Sequence, residues 1–164
     1  MFKKFIEKLY LSYSDNLVYK DILTNLHNRN YYELVIKEKY KNKSAILCLI
    51  DLNNLKKIND KRGHNIGDKI LIELSTLLKE NNFIKDSLRY GGDEFIIILN
   101  KNLLDTYSKC NKYIQSLLKK FTSITNESFS YGIINKNIED SIDSVIQKAD
   151  ESLYKMKSKK ELEN

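Results

Sequence analysis

Apolar positions along the chain change their period several times, and each change marks an element. Phe2, Phe5, Ile6, Leu9, Tyr13 and Leu17 recur at helical spacing and predict an amphipathic helix over 2–19. "DILTNLHNRN" is a polar break without a strong period, and helical spacing resumes over 30–41 with Tyr31, Leu34, Val35 and Tyr40. "SAILCLID" (44–51) is a continuous apolar run ending in acid, the pattern of a short strand covered on both faces. "NLKKIND" predicts a short helix and "KRGHNIGD" a turn with two glycines. Ile70, Leu71, Leu74, Leu77 and Leu78 then define one face of a helix over about 66–80. Two strand-like runs, 83–90 and 94–99, flank a Gly-Gly turn. Residues 103–121 read as helix and "SFSYGIIN" (128–135) as an alternating strand. A last helix, 139–158, carries Ile142, Val145, Ile146, Ala149, Leu153 and Met156 on one face.

The order strand, helix, two-stranded hairpin, helix, strand is the split βαββαβ arrangement, which predicts an α+β, ferredoxin-like fold. In such a sheet the first strand is central and neighbours the strand that follows the hairpin, so Asp51 and Asp93 can converge.

Composition narrows the class. At 164 residues the chain is about one domain long and can bury a core without disulfides or a structural metal. With 41% apolar residues it is not a disordered chain. The net charge of +6 suits anionic partners, but of 28 basic residues only three are Arg and the lysines are scattered without a binding motif. Nucleic acid is therefore not an expected partner. Cys48 lies in an apolar run and reads as a small core residue, and neither it nor Cys110 has zinc spacing to a His. A reducing cytoplasm is the simplest location. No apolar stretch approaches the ~18 residues of a membrane span, and "MFKKFIEKLYLSY" is too broken by charge for a secretory signal. Membrane contact through Lys3, Lys4 and Lys8 beside Phe2 and Phe5 is less expected than a helix that docks on the domain or pairs with its copy.

The chemistry-bearing residues form three groups. Asp51 ends the buried strand, and Asp93 and Glu94 sit at the hairpin tip. Two or three carboxylates with a backbone carbonyl suit a hard cation such as Mg²⁺; taken singly, Asp51 also fits a helix cap and the hairpin acids fit solvated charges. Asn54, Leu55 and Lys56 begin a helix directly after Asp51, where free N–H groups can cradle phosphate. Asn59, His64 and Asp68 flank the glycine turn. A carboxylate only accepts hydrogen bonds, so Asp68 matches the adjacent N1–H and N2–H₂ donors of guanine and repels the bare N1 of adenine. Asp68 equally fits a first-turn helix acid.

"DILTNLHNR", "LIDLNNLKKINDKRGHNIGDKIL", "LRYGGDEFIIIL", "FSYGI" and "ADESLYKMK" together resemble the GGDEF family of diguanylate cyclases, in family order and over about 21–157. The resemblance implies a palm-type nucleotide cyclase with a mostly antiparallel sheet flanked by helices, preceded by an N-terminal helix or linker (1–20) and occupying 21–164. It implies condensation of two GTP into cyclic di-GMP with loss of two pyrophosphates, in a homodimer. By similarity, Asp51, the Leu52 carbonyl and Asp93 bind Mg²⁺ or Mn²⁺, and Asp93 with Glu94 is catalytic. Asn59 and Asp68 would read guanine, with His64 nearby; Lys56 and Lys157 would approach the phosphates, and Leu55, Gly91 and Gly92 would line the rest of the substrate site. Glycines 91 and 92 would let backbone pass close to it.

Several positions depart from the family. Asn53 stands where an acid is common, Leu55 where an aromatic is, and Lys160 and Glu161 where Gly and Arg follow the lysine. Glu161 at a phosphate-facing position favours the alternative of a weakly active or inactive GTP-binding or interaction module. Asn82–Lys85, "NFIK", stands where many members carry the Arg-x-x-Asp product site, so no inhibition through that site is expected.

Overall fold

The computed structural model describes residues 18–79 and 82–162, with side chains through Ser158. Of the helix expected over 2–19, only residues 18 and 19 are described, and both are helical.

Helix α1 (29–39) is capped by the Asn28 side chain, which accepts from the Tyr31 N–H at 3.1 Å, and widens to a π-helical turn over Tyr32–Ile36. Strand β1 (Ala45–Leu52) leads through the left-handed Asn54 into α2 (Leu55–Arg62), and α3 (His64–Lys79) follows after Gly63. The hairpin is β2 (Ile84–Arg89) and β3 (Glu94–Leu99); then come α4 (Tyr107–Thr125), β4 (Phe129–Lys136) and α5 (Ile142–Leu162).

The sheet runs β2-β3-β1-β4 with every neighbouring pair antiparallel. This is the α+β, ferredoxin-like order expected from the pattern, with β1 central beside β3. Successive residues of a strand face opposite sides. Ile46, Cys48, Ile50 and Leu52 of β1 therefore enter one core with α3 and α4, represented by Leu71, Leu74, Ile114 and Phe121. Ala45, Leu47 and Leu49 enter a second core with Tyr32, Ile36, Val145, Ala149 and Leu153 of α1 and α5. Helices on both faces explain the unbroken apolar run. Cys48 and Cys110 are both buried, unbridged thiols.

One boundary moves. The sequence pattern starts a helix at 103, but α4 begins at Tyr107, because the Thr106 side chain accepts from the Lys109 N–H at 3.3 Å while Leu104 turns inward to the core. The local cap overrides the apolar period. No helix among the described residues is long and apolar enough to cross a membrane.

Candidate active site

Asp51 is the seventh residue of β1 and shares the side of the sheet that α5 covers. Its cross-strand neighbours are Glu94 on β3 and Ser130 on β4. One residue further, the Leu52 N–H donates to the Asp93 carbonyl at 3.0 Å, so the two backbones that carry the expected metal donors lie side by side. The hairpin closes through Tyr90 and Gly91 N–H groups donating to the Glu94 carbonyl at 2.8 and 3.2 Å. Thus the structure brings Asp51, Asp93 and Glu94 together at one end of the two central strands.

Burial pushes the Asp51 carboxyl up from its ordinary range; the Lys157 ammonium, donating to Oδ1 at 2.6 Å, offsets part of this, and Asp93 and Asp150 add repulsion. Glu94 is raised in the same direction by burial and then by Asp51, Asp93 and Asp150. Gly91 has a local reason to be glycine. A Cβ there would lie 2.5 Å from Glu94 Oε2, so the missing side chain makes room for this carboxylate. Around Gly92 there is open space, and its carbonyl accepts from Arg89 Nη2 at 2.7 Å and Nε at 3.2 Å.

Helix α2 starts three residues beyond Leu52. Asn54 supplies no side-chain cap, so the first N–H groups of the helix have no side-chain acceptor from it. The Leu55 side chain is buried in the core, which leaves its backbone N–H as the part able to meet a ligand. Lys56 is exposed on the same helix. Asn59 follows Lys56 by three residues and shares its face. It packs on α3: a Cβ on Gly67 would come 2.0 Å from Asn59 Oδ1, so glycine at 67 leaves room for this amide between the two helices. Asn59 Oδ1 is buried against Gly67 at the α2–α3 elbow without a hydrogen-bond partner. Asp68 follows Gly67, and His64 lies one turn earlier, exposed, on the face of Asp68.

Asn53 is explained by its neighbours. Its amide donates to Ser128 Oγ at 2.8 Å and its oxygen accepts from Ser130 Oγ at 2.9 Å, tying the β1 exit to β4. A carboxylate could not donate the first bond.

Sequence reasoning missed two features. Asp150 faces the acid group from α5 and lines a cleft of about 300 Å³ with Glu94, Tyr90 and Gln147. Its spacing of seven from Lys157 places both on one helix face and was a usable signal. Asp21 binds Arg89 (Nη1–Oδ1 3.2 Å) while Arg89 holds the Gly92 carbonyl, linking "DILT" to the hairpin tip. Nothing local in the sequence pairs them.

Among the described residues no three acidic, His or Cys side chains form a complete metal cage. Mg²⁺ does not need one: it takes one or two carboxylates and completes its shell with water and substrate phosphates. Oxygen-only donors beside an uncapped helix start fit that kind of ion.

The fold is thus an antiparallel α+β sheet with acids paired across its two central strands, beside a helix start without a side-chain cap. Residues 18–162 match the family model described as "Diguanylate cyclase, GGDEF domain", and the chain belongs to the GGDEF family. It is 31% identical over 151 residues to diguanylate cyclase DgcS of Shewanella oneidensis, covering 84% of this chain and 49% of that one. It is 32% identical over 161 residues to diguanylate cyclase DosC of Escherichia coli K12, covering 91% and 35%. The chain thus spans half or less of the length of these curated relatives. The GGDEF domain of DgcB from Caulobacter crescentus, solved with c-di-GMP, shares the fold at a TM-score of 0.74 and 23% identity, covering 85% of this chain and 88% of that one.

Proposed function

We propose that this chain is the catalytic module of a diguanylate cyclase, joining two GTP into cyclic di-GMP with release of two pyrophosphates. The observation that carries the reading is the convergence of Asp51, Asp93 and Glu94 beside the uncapped start of α2 and beneath Lys157. Membership of the family and relatives named diguanylate cyclase support it.

Each 3′-hydroxyl loses its proton, its oxygen bonds to the α-phosphorus of the other GTP, and the bond to pyrophosphate breaks. Asp51, the Leu52 carbonyl and Asp93 would hold Mg²⁺ or Mn²⁺, which would lower the hydroxyl pKa and offset charge on the leaving group. Glu94, with its proton affinity raised, is suited to take or return a proton beside Asp93. Helix α2 N–H groups, Lys56 and Lys157 meet the phosphates. Asn59 Oδ1 and the Asp68 carboxylate accept from the guanine N–H groups, with His64 at the rim. One domain holds one GTP, so turnover requires two domains face to face, in the cytoplasm where GTP and Mg²⁺ are present.

The test is incubation of purified protein with GTP and Mg²⁺, read by mass analysis, with Asp93→Ala alongside. Cyclic di-GMP is expected from the native chain and a loss of at least a hundredfold from the variant. Intact GTP binding with no product at high protein concentration would reject catalysis. That outcome would favour a guanine-nucleotide-binding module, the reading that Glu161 in the family's Arg position supports.

A further inference from the structure

Asp51 and Glu94 are cross-strand neighbours on β1 and β3, Asp93 directly precedes Glu94, and the charges of Asp93 and Asp150 act on both of these carboxylates. Among the described residues the only ion pair of these four acids within 4 Å is Asp51–Lys157. The Asp51 side chain is 14% exposed, so water can do little to balance its charge; the Lys157 side chain is 36% exposed and reaches in from α5. The contact is short, 2.6 Å to Oδ1, and spans 106 positions of sequence. Resting on the functional reading above, we propose that Lys157 is a resident counter-ion that keeps the acid cluster closed to a bare divalent cation and surrenders Asp51 only when nucleotide phosphates draw it away.

The geometry sets the two cations in competition for Oδ1 of Asp51. A Mg²⁺ ion bonds carboxylate oxygen at about 2.0–2.1 Å. Bound to Oδ1 with Lys157 in place, it would sit no further than about 4.7 Å from the ammonium, the sum of that bond length and the observed contact. Like charges at that range in a half-buried site repel strongly. An ion at Oδ1 therefore competes with Lys157 for Asp51. Without nucleotide the displaced ammonium loses its partner and gains only water. With nucleotide it gains phosphate oxygens, and the ion gains further ligands from the same group. Lysine suits this handover: a compact charge on a flexible four-carbon stem, with three donors that re-aim without a fixed plane. Metal and nucleotide then load as a coupled pair, and by linkage each tightens the other.

The test titrates Mn²⁺ into the full chain without nucleotide, following free Mn²⁺ by its electron paramagnetic resonance signal. Lys157→Met is expected to bind Mn²⁺ at least tenfold more tightly than the native protein. Lys157→Arg, which keeps the charge, is expected to stay within threefold of native. Lys155→Met removes the same charge from an exposed position on the same helix and is expected to change affinity less than twofold. Circular dichroism confirms that each variant is folded. A second titration, with a non-hydrolysable GTP analogue present, should show the nucleotide's tightening of Mn²⁺ reduced in Lys157→Met by about the factor gained in its absence. Unchanged or weaker Mn²⁺ binding by Lys157→Met overturns the proposal, as does an equal gain in Lys155→Met, which would reduce it to general charge. If native protein binds Mn²⁺ neither alone nor with the analogue, the metal-site reading itself fails; normal binding with the analogue but no gain in Lys157→Met fails the counter-ion alone.

Discussion

Single residues carry the site through what they leave empty as much as through what they present. Gly67 is the clearest case, because its missing Cβ is occupied by Asn59 Oδ1 at 2.0 Å from where that carbon would stand. Gly67→Ala adds about 1 kcal/mol of helix propensity and loses about 1–3 kcal/mol to overpacking. The amide lies at the end of a short flexible side chain and swings aside. The expected outcome is a melting temperature within a few degrees of native but guanine-nucleotide affinity at least tenfold weaker, checked by a thermal melt and a nucleotide titration on the same sample. Unaltered affinity would remove Asn59 from the base-reading set. The motif "NDKRGHNIGD" shows in sequence that Asn59 and Asp68 flank a glycine turn. That Asn59 Oδ1 is buried and unpartnered depends on the packing of α2 on α3.

At the scale of elements, the segment before α1 is bolted to the β2–β3 hairpin. Asp21 accepts from the Thr24 N–H at 2.9 Å and hydroxyl at 2.6 Å and from Arg89, whose other donors hold the Gly92 carbonyl. Burial alone would raise the Asp21 carboxyl; the Thr24 bonds and the Arg89 guanidinium outweigh it and hold the pKa below the usual 3.8. A depressed folded pKa means stability present above the unfolded value and lost as pH falls through the folded one. Asp21→Asn should therefore be less stable than native by roughly 1–3 kcal/mol near pH 7, a gap that closes as the pH drops below about 3.8. Denaturant melts of both proteins across that range measure it, and a gap independent of pH would show that the carboxylate charge is not what counts. A second tie joins α1 to the sheet edge: buried Asp86 on β2 accepts from Lys39 at 2.7 and 2.8 Å and from the Tyr40 hydroxyl at 2.5 Å. Neither tie was readable beforehand. "DILTNLHNRN" has no period because it is a folded turn held by polar bonds rather than an amphipathic surface.

For the whole molecule, the fold presents one set of acids and one α2–α3 elbow, while the proposed reaction consumes two nucleotides and forms two equivalent bonds. Turnover per protein molecule should accordingly rise with protein concentration until dimers saturate, and fall on dilution at fixed saturating GTP. A specific activity constant over a hundredfold dilution into the nanomolar range, with the protein shown to be monomeric there, would overturn the two-domain requirement.

The sequence by itself determined the class of sheet and its helical layers. Periods of two and 3.6 report which faces are buried, and the unbroken run Ala45–Ile50 reports helices on both sides. It also determined that acids lie near the end of β1 and at the start of β3, since strand ends follow from where apolar alternation stops. The tertiary structure alone decided what those acids touch. Lys157 reaching Asp51 across 106 positions, Arg89 reaching Asp21 across 68, and the Asn53 amide between Ser128 and Ser130 all depend on how elements pack against one another. Polar side chains select partners by distance and direction in the folded chain, and no local period encodes either.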